Sequence, residues 1–169
     1  MKKILPISLV CLLPLLINAC ASTPFTQPKR EAYTGKDQVT AVNATSFIGS
    51  WHGKILNPIQ GETLQNVTYR YKTDGTVLMN VDNTNTGNPI SDMAIEITGT
   101  WQVGNGLITQ QAQSIRETSG NKFAGMITGV MNSLKRKMSG SANVYLLEPN
   151  RIILVSEDDQ HQALELTRI

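Results

Sequence analysis

Cysteine is almost absent from the 169-residue sequence: Cys11 and Cys20 are the only two, and none follows position 20. No disulfide can form within residues 21–169, so a core there must stand on packing alone. Histidine is equally scarce, with His52 and His161 only. Structural zinc sites usually take four Cys or His ligands and catalytic ones commonly three protein ligands, so no metal site is expected. An excess of charge is also missing. The formal +2 resides in Lys2 and Lys3, and residues 20–169 balance 13 Lys and Arg against 13 Asp and Glu. Nucleic-acid binding normally needs a basic face that displaces counterions, and a neutral surface offers none.

Signatures of catalysis are lacking as well. The chain has no Gly-x-Ser-x-Gly elbow, no His-Glu-x-x-His, no phosphate-binding Gly-Lys-Thr loop and no dinucleotide fingerprint. A Ser, His and Asp can still meet in space from distant positions. The carboxylates, however, gather in turns, as at Glu157, Asp158 and Asp159, or on polar strand positions. Neither an enzyme nor a cofactor is expected.

What is present begins with the leader. Met1-Lys2-Lys3 precedes an apolar run from Ile4 to Ile17, the pattern of a secretory signal. The run is shorter than the about 20 apolar residues that a bilayer-crossing helix needs, and it carries Pro6 and Pro14. It ends in Ile17-Asn18-Ala19-Cys20, which resembles the lipobox of bacterial lipoproteins, although Asn18 stands where a small or aliphatic residue is more usual. The resemblance implies that residues 1–19 are a signal peptide cut before Cys20. The Cys20 thiol would then carry a diacylglycerol, and its new amino group a further acyl chain such as palmitate. Ala21 stands where that family's inner-membrane retention signal has an aspartate. This implies a lipid anchor in the outer membrane with the protein facing the periplasm, and partnership with the membrane through the acyl chains.

Residues 20–43 are polar, with Pro24 and Pro28, and lack a sustained apolar period. They read as the lipidated cysteine and a flexible tether with a mean reach of about 25–30 Å. Residues 44–169 suit one domain. Alternation of period two dominates them: Val67, Tyr69 and Tyr71 form one series, and Met93, Ile95, Ile97, Trp101 and Val103 another. Hairpin dipeptides divide the strands, namely Asp74-Gly75, Asn105-Gly106 and Pro149-Asn150. With Phe47–Leu56 at the start and His161–Arg168 at the end, about eight strands follow one another as an antiparallel meander.

One stretch departs from this period. Phe123, Met126, Ile127, Val130, Met131, Leu134 and Met138 recur every three or four residues, which predicts an amphipathic helix over 121–138 between strands five and six. Three docking places are open to it: its own barrel as a lid, another protein, or the membrane.

An eight-stranded meander closes naturally into a barrel, leaving no free edge. Gly49-Ser50-Trp51 resembles the Gly-x-Trp signature of lipocalins, and Arg168 lies near the end of the last strand. Thr73-Asp74-Gly75-Thr76 and Gly99-Thr100-Trp101-Gln102-Val103 are similar to segments of the small lipocalin-like domains of bacterial envelope lipoproteins. The resemblance implies that Trp51 and Arg168 pack together and close the barrel, a cation–π contact worth about 0.5–2 kcal/mol. The sequence departs from typical lipocalins in its internal helix and in lacking their Thr-Asp-Tyr motif.

The fold expected is thus all-β: an eight-stranded antiparallel up-and-down, lipocalin-like barrel with one inserted helix. The function expected is non-catalytic binding of a small apolar or amphipathic ligand. Tyr69, Tyr71, Met79, Ile95, Ile97 and Trp101 would line its cavity, gated by Met126, Val130 and Met131 of the helix. A buried tyrosine hydroxyl needs a partner, and a ligand, a polar side chain or water would each serve. One of Gln110, Gln111 and Gln113 is expected to point inward. The second reading is an accessory envelope lipoprotein, its barrel filled, that docks on another protein through its outer face or its Met-rich helix.

Overall fold

A computed structural model describes residues 30–59, 66–82, 94–120, 135 and 139–169. Eight strands follow in order: β1 (Gly49–Ile55), β2 (Asn66–Tyr71), β3 (Thr76–Asp82), β4 (Ala94–Gly104), β5 (Leu107–Glu117), β6 (Gly140–Glu148), β7 (Arg151–Ser156) and β8 (Ala163–Arg168). Each pairs antiparallel with its neighbour, and β8 returns to β1, so the sheet is a closed up-and-down barrel. Apart from Lys135, the helix expected over 121–138 lies outside the described residues, as do Met126, Val130, Met131 and Cys20.

Alternation places the core as the sequence pattern predicts. Tyr69 and Tyr71, Val77, Met79 and Val81, Ile95, Ile97 and Trp101 are all buried in one cluster inside the barrel. Their sequence neighbours Arg70, Asn80, Thr98 and Gln102 are exposed. Asp74 sharpens the β2–β3 hairpin, because its carboxylate accepts from the Thr76 amide at 2.9 Å. Those bonds to Thr76 hold its carboxyl below the usual carboxylate range.

One end of the barrel is plugged. Ala44–Ser46 form a 3-10 turn capped by the Asn43 side chain, and Phe47, expected to begin the first strand, ends that turn instead. Its ring lies edge-on to Tyr71 at 5.8 Å and tilted against Trp101 at 6.0 Å. An aromatic at this point can fill the bottom of the barrel, whereas strand geometry would hold it on the wall. Beside it Trp51, wholly buried, donates its indole N–H to the Phe47 carbonyl at 2.6 Å.

Arg168 ties the plug to both ends of the sheet. It is paired with Trp51 across β8 and β1, and its guanidinium carbon stands 4.1 Å from the Trp51 ring centroid. Its nitrogens donate to the carbonyls of Pro149 at 2.7 Å, Ile48 at 3.0 Å and Ser46 at 3.2 Å. Gly49 makes room for it: φ is +129°, and a Cβ there would sit 2.5 Å from Arg168 Nη1.

Residues 30–43 differ from the tether expected over that span. They lie against the barrel. Asn57, just after β1, donates to the Glu31 carbonyl at 2.8 Å and the His161 carbonyl at 3.0 Å, accepts from the Ala163 amide at 2.8 Å, and receives Arg30 on its own carbonyl at 3.0 Å. Tyr33 meets Tyr145 edge to face at 5.5 Å. A register shift between Val144 and Leu146 accompanies that meeting, since it leaves Tyr145 without a cross-strand partner. The Val39 amide then donates to the Val144 carbonyl at 2.7 Å. Composition conceals this strap because its polar residues bond through backbone groups and individual side chains, without an apolar period. The last strand also begins later than expected: His161 has φ +46° and belongs to the turn before Ala163.

Truncating Trp51 to Ala should cost about 3–5 kcal/mol, as for other large buried aromatics. Arg168→Lys should cost about 1–2 kcal/mol, because a single ammonium cannot reach three diverging carbonyls. Urea unfolding of the full chain, followed by circular dichroism, checks both.

Candidate functional site

The end opposite the plug is built differently. β4 and β5 pair over ten positions, from Gly104 with Leu107 to Ile95 with Glu117, but β5 and β6 pair only from Leu107–Asn143 to Gln110–Gly140. Among the described residues the ladder between β5 and β6 ends at Gln110 and Gly140. A side chain takes over one bond there: Ser139 Oγ accepts from the Ala112 amide at 3.0 Å and donates to the Lys135 carbonyl at 2.9 Å.

A pocket of about 410 Å³ opens at this gap. Tyr69, Met79 and Ile108 supply aromatic and aliphatic walls, and Gln110 comes from the last paired position of β5. The rim comes from Ser139–Ala142, Ser156–Asp158 and Gln162. Tyr69 can lie over the neighbouring strand β1 because Gly53 faces it, where a Cβ would stand 2.7 Å from the ring. The volume falls within the roughly 300–1,000 Å³ of small-molecule sites.

Most of the rim is committed to its own structure. Ser156 Oγ donates to Asp158 Oδ1 at 2.7 Å and accepts from the Gln162 amide nitrogen at 2.8 Å, while the Gln160 amide also donates to Asp158 at 3.1 Å. Ser141 Oγ is bonded to Thr109 Oγ1 at 2.9 Å. Among the described residues, no set of three or more His, Cys, Asp or Glu is placed to hold a metal.

The tyrosines are not settled in this way. Tyr69 and Tyr71 stack nearly parallel with centroids 6.2 Å apart, and Tyr71 also stands edge-on to Trp101 at 5.1 Å. Tyr71 is 1% exposed, and its hydroxyl makes no hydrogen bond among the described residues. Burial pushes its pKa well above the ordinary value; neighbouring Tyr69 adds to the rise, and the Gln110 side chain opposes it. Gln110 is therefore near, without the geometry of a bond. Burial alone pushes Tyr69 up to about 12.

The residues expected to line a cavity thus divide by height along the barrel. Tyr69 and Met79 line the pocket. Tyr71 and Trp101 belong to the aromatic cluster over the plug, with the Trp101 indole donating to the Lys72 carbonyl at 3.2 Å. Ile95 and Ile97 are buried in the core cluster. Gln110 faces the pocket, while Gln111 and Gln113 are exposed. Ile108, Ser139, Ser156 and Gln162 are additions. Period-two parity marks Ile108 as inward; the others lie where strands end, and only the early stop of the β5–β6 ladder brings them in.

No protein-family model matches the chain, and no curated protein matches it. The solved structures to which the chain is similar include two from Bacteroides species. One is a lipocalin-like protein from Bacteroides uniformis ATCC 8492, 12% identical, with a TM-score of 0.44 over 73% of this chain and 99% of that one. The other is a protein from Bacteroides eggerthii DSM 20697, 13% identical, with a TM-score of 0.44 over 73% and 99%. The strand order, and not these likenesses, defines the fold. Among the described residues no helix is long and apolar enough to cross a membrane.

Tyr69 and Tyr71 make stability fall at high pH. Below the ordinary tyrosine pKa of 10.0 folded and unfolded chains hold the same protons. Between that value and about 12 the unfolded chain releases protons that the folded chain keeps, so stability drops as pH rises. Tyr69 alone should account for about 2–3 kcal/mol of loss by the top of this window. Denaturant midpoints measured across it should fall less steeply in Tyr69→Phe. Tyr71→Phe removes an unbonded buried hydroxyl and should also stabilise the ligand-free protein at neutral pH by about 1 kcal/mol.

Proposed function

We propose that the chain is an envelope lipoprotein, anchored through acylated Cys20 in the outer membrane and facing the periplasm. Its barrel, lipocalin-like in closure and strand order, binds a small apolar or amphipathic molecule without catalysis. The observation that carries the binding reading is the pocket of about 410 Å³, open at one end of a barrel plugged at the other. Its walls join an aromatic ring and aliphatic side chains to a few polar groups, the usual composition of a small-molecule site. The anchor rests on Ile17-Asn18-Ala19-Cys20 at the end of the apolar leader. Because residues 30–43 belong to the barrel, the tether in this reading shortens to residues 21–29, with a mean reach of about 15–18 Å. The helix over 121–138 stays part of the proposal on periodicity alone.

Native mass spectrometry of the full-length protein, released gently from its own envelope, should show a co-purifying small molecule besides the acyl mass on Cys20. Cys20→Ser should leave an unprocessed or soluble species. A peptide bearing unmodified Cys20 would remove the anchor. A bare native mass would transfer the function to the docking reading, in which the barrel serves another envelope protein.

A further inference from the structure

The chain that leads to Cys20 leaves the barrel at the rim of the pocket. Gln162 lines the pocket, and both its neighbours bond Asn57: the His161 carbonyl accepts from the Asn57 side chain at 3.0 Å, and the Ala163 amide donates to it at 2.8 Å. The same side chain donates to the Glu31 carbonyl at 2.8 Å, and the Asn57 backbone carbonyl accepts from Arg30 at 3.0 Å. One residue thus joins the rim to the start of the strap. From there the strap runs towards the plug, with Tyr33 against Tyr145 and Lys36 at 3.9 Å from Glu148, the far end of β6. The preceding chain therefore departs at the pocket end and not at the plug.

From this attachment we infer that the pocket mouth is held towards the membrane leaflet that carries the Cys20 anchor, so that the partner its rim meets is a lipid surface. The inference rests on the acylated Cys20 of the reading above and adds the orientation of the barrel to it. Nine residues lie between Cys20 and Arg30. Fully extended they span at most about 32 Å, and as a coil about 15–18 Å. The seven residues of β1 rise about 20 Å along the strand, which a strand tilt of about 40° reduces to about 15 Å of barrel height. With the mouth towards the leaflet, the tether spans only the gap between rim and membrane. With the plug towards it, the tether must first run back along the whole height of the barrel. That path consumes the mean reach of a coil before any gap is crossed, and straightening the chain to go farther costs conformational entropy. The rim suits headgroups and not hydrocarbon: Ser139, Ser141, Ser156, Glu157, Asp158 and Gln162 are all polar, and such groups are costly to bury in an apolar medium. The mouth therefore stands at the leaflet surface without inserting.

Energy transfer on vesicles tests the orientation. Cys11 leaves with the leader in this reading and Cys20 is acylated, so an introduced cysteine is the only free thiol of the processed chain. Asp159→Cys carries a donor fluorophore in the exposed turn between β7 and β8 at the mouth, and Asn150→Cys carries it in the exposed turn between β6 and β7 at the plug end. Each acylated chain is placed on phosphatidylcholine vesicles whose headgroups bear an acceptor dye. The label at position 159 should lie nearer the headgroup plane than the label at 150 by about 15 Å, the height of the barrel. Inserting about twenty Gly and Ser residues after Thr26 raises the mean reach to about 27–32 Å and should at least halve that difference. Equal distances, or a nearer label at 150, would overturn the inference, while an acyl mass on Cys20 and a co-purifying molecule would leave anchor and binding intact. A difference unchanged by the longer tether would overturn it as well, since the anchor would then not set the orientation. A chain without an acyl group that stays off the vesicles removes anchor and inference together.

Discussion

The barrel depends on one side chain that touches everything needing to meet. Arg168 belongs to the last strand, lies over the tryptophan of the first, and donates to carbonyls on either side of the plug. An eight-stranded sheet that fails to join β1 to β8 would expose two rows of unpaired backbone groups. Hydrogen bonds along β1 and β8 supply the seam, but a seam alone leaves the end open to water. The guanidinium adds what the ladder cannot: a planar set of donors that bonds the 3-10 turn while its face covers an indole. Gly49 is the necessary partner, because any side chain there would occupy the space of the guanidinium.

Much of this was legible in the residues. Alternation and three hairpin dipeptides define eight strands, and the first-strand tryptophan with the last-strand arginine marks the seam. The site was legible only by halves, for a definite reason. Parity tells which side chains point inward, yet it is silent on how far along the barrel axis each one stands. Tyr69 and Tyr71 share a parity, but one lines the pocket and the other sits among Phe47 and Trp101. Deciding between them requires knowing which end is plugged, and that depends on Phe47 leaving the strand. The strap escaped detection for a related reason. Its attachment runs through Asn57, a single amide in a post-strand turn that has no periodic signal.

Polar atoms inside the barrel follow two opposite rules. At the plug the polar atoms described above are matched, with the indole N–H groups of Trp51 and Trp101 each finding a carbonyl. Between plug and pocket the buried Tyr71 hydroxyl is left without a partner among the described residues, although phenylalanine would pack there without that penalty. Buried polar groups without partners are rare in native proteins because each costs about 1–3 kcal/mol. Local violations of this kind concentrate where function opposes stability.

A domain without a disulfide must obtain its long-range constraints elsewhere, and the strap supplies one. Arg30 and Glu31 are fastened at Asn57 on the pocket side, Tyr33 at Tyr145 on the barrel wall, and Val39 to the backbone of β6. Leu146, Ile153, Val155 and Ala163 point outward by register, yet all four are buried. An outer layer must therefore cover this wall, and the strap runs over it. A barrel wall buried on both faces is stiffer than one facing water, because its side chains are packed from either side. β6 is the strand that parts from β5 at the pocket, and it is also one of those held by the strap. The strand beside the pocket is thus braced from outside.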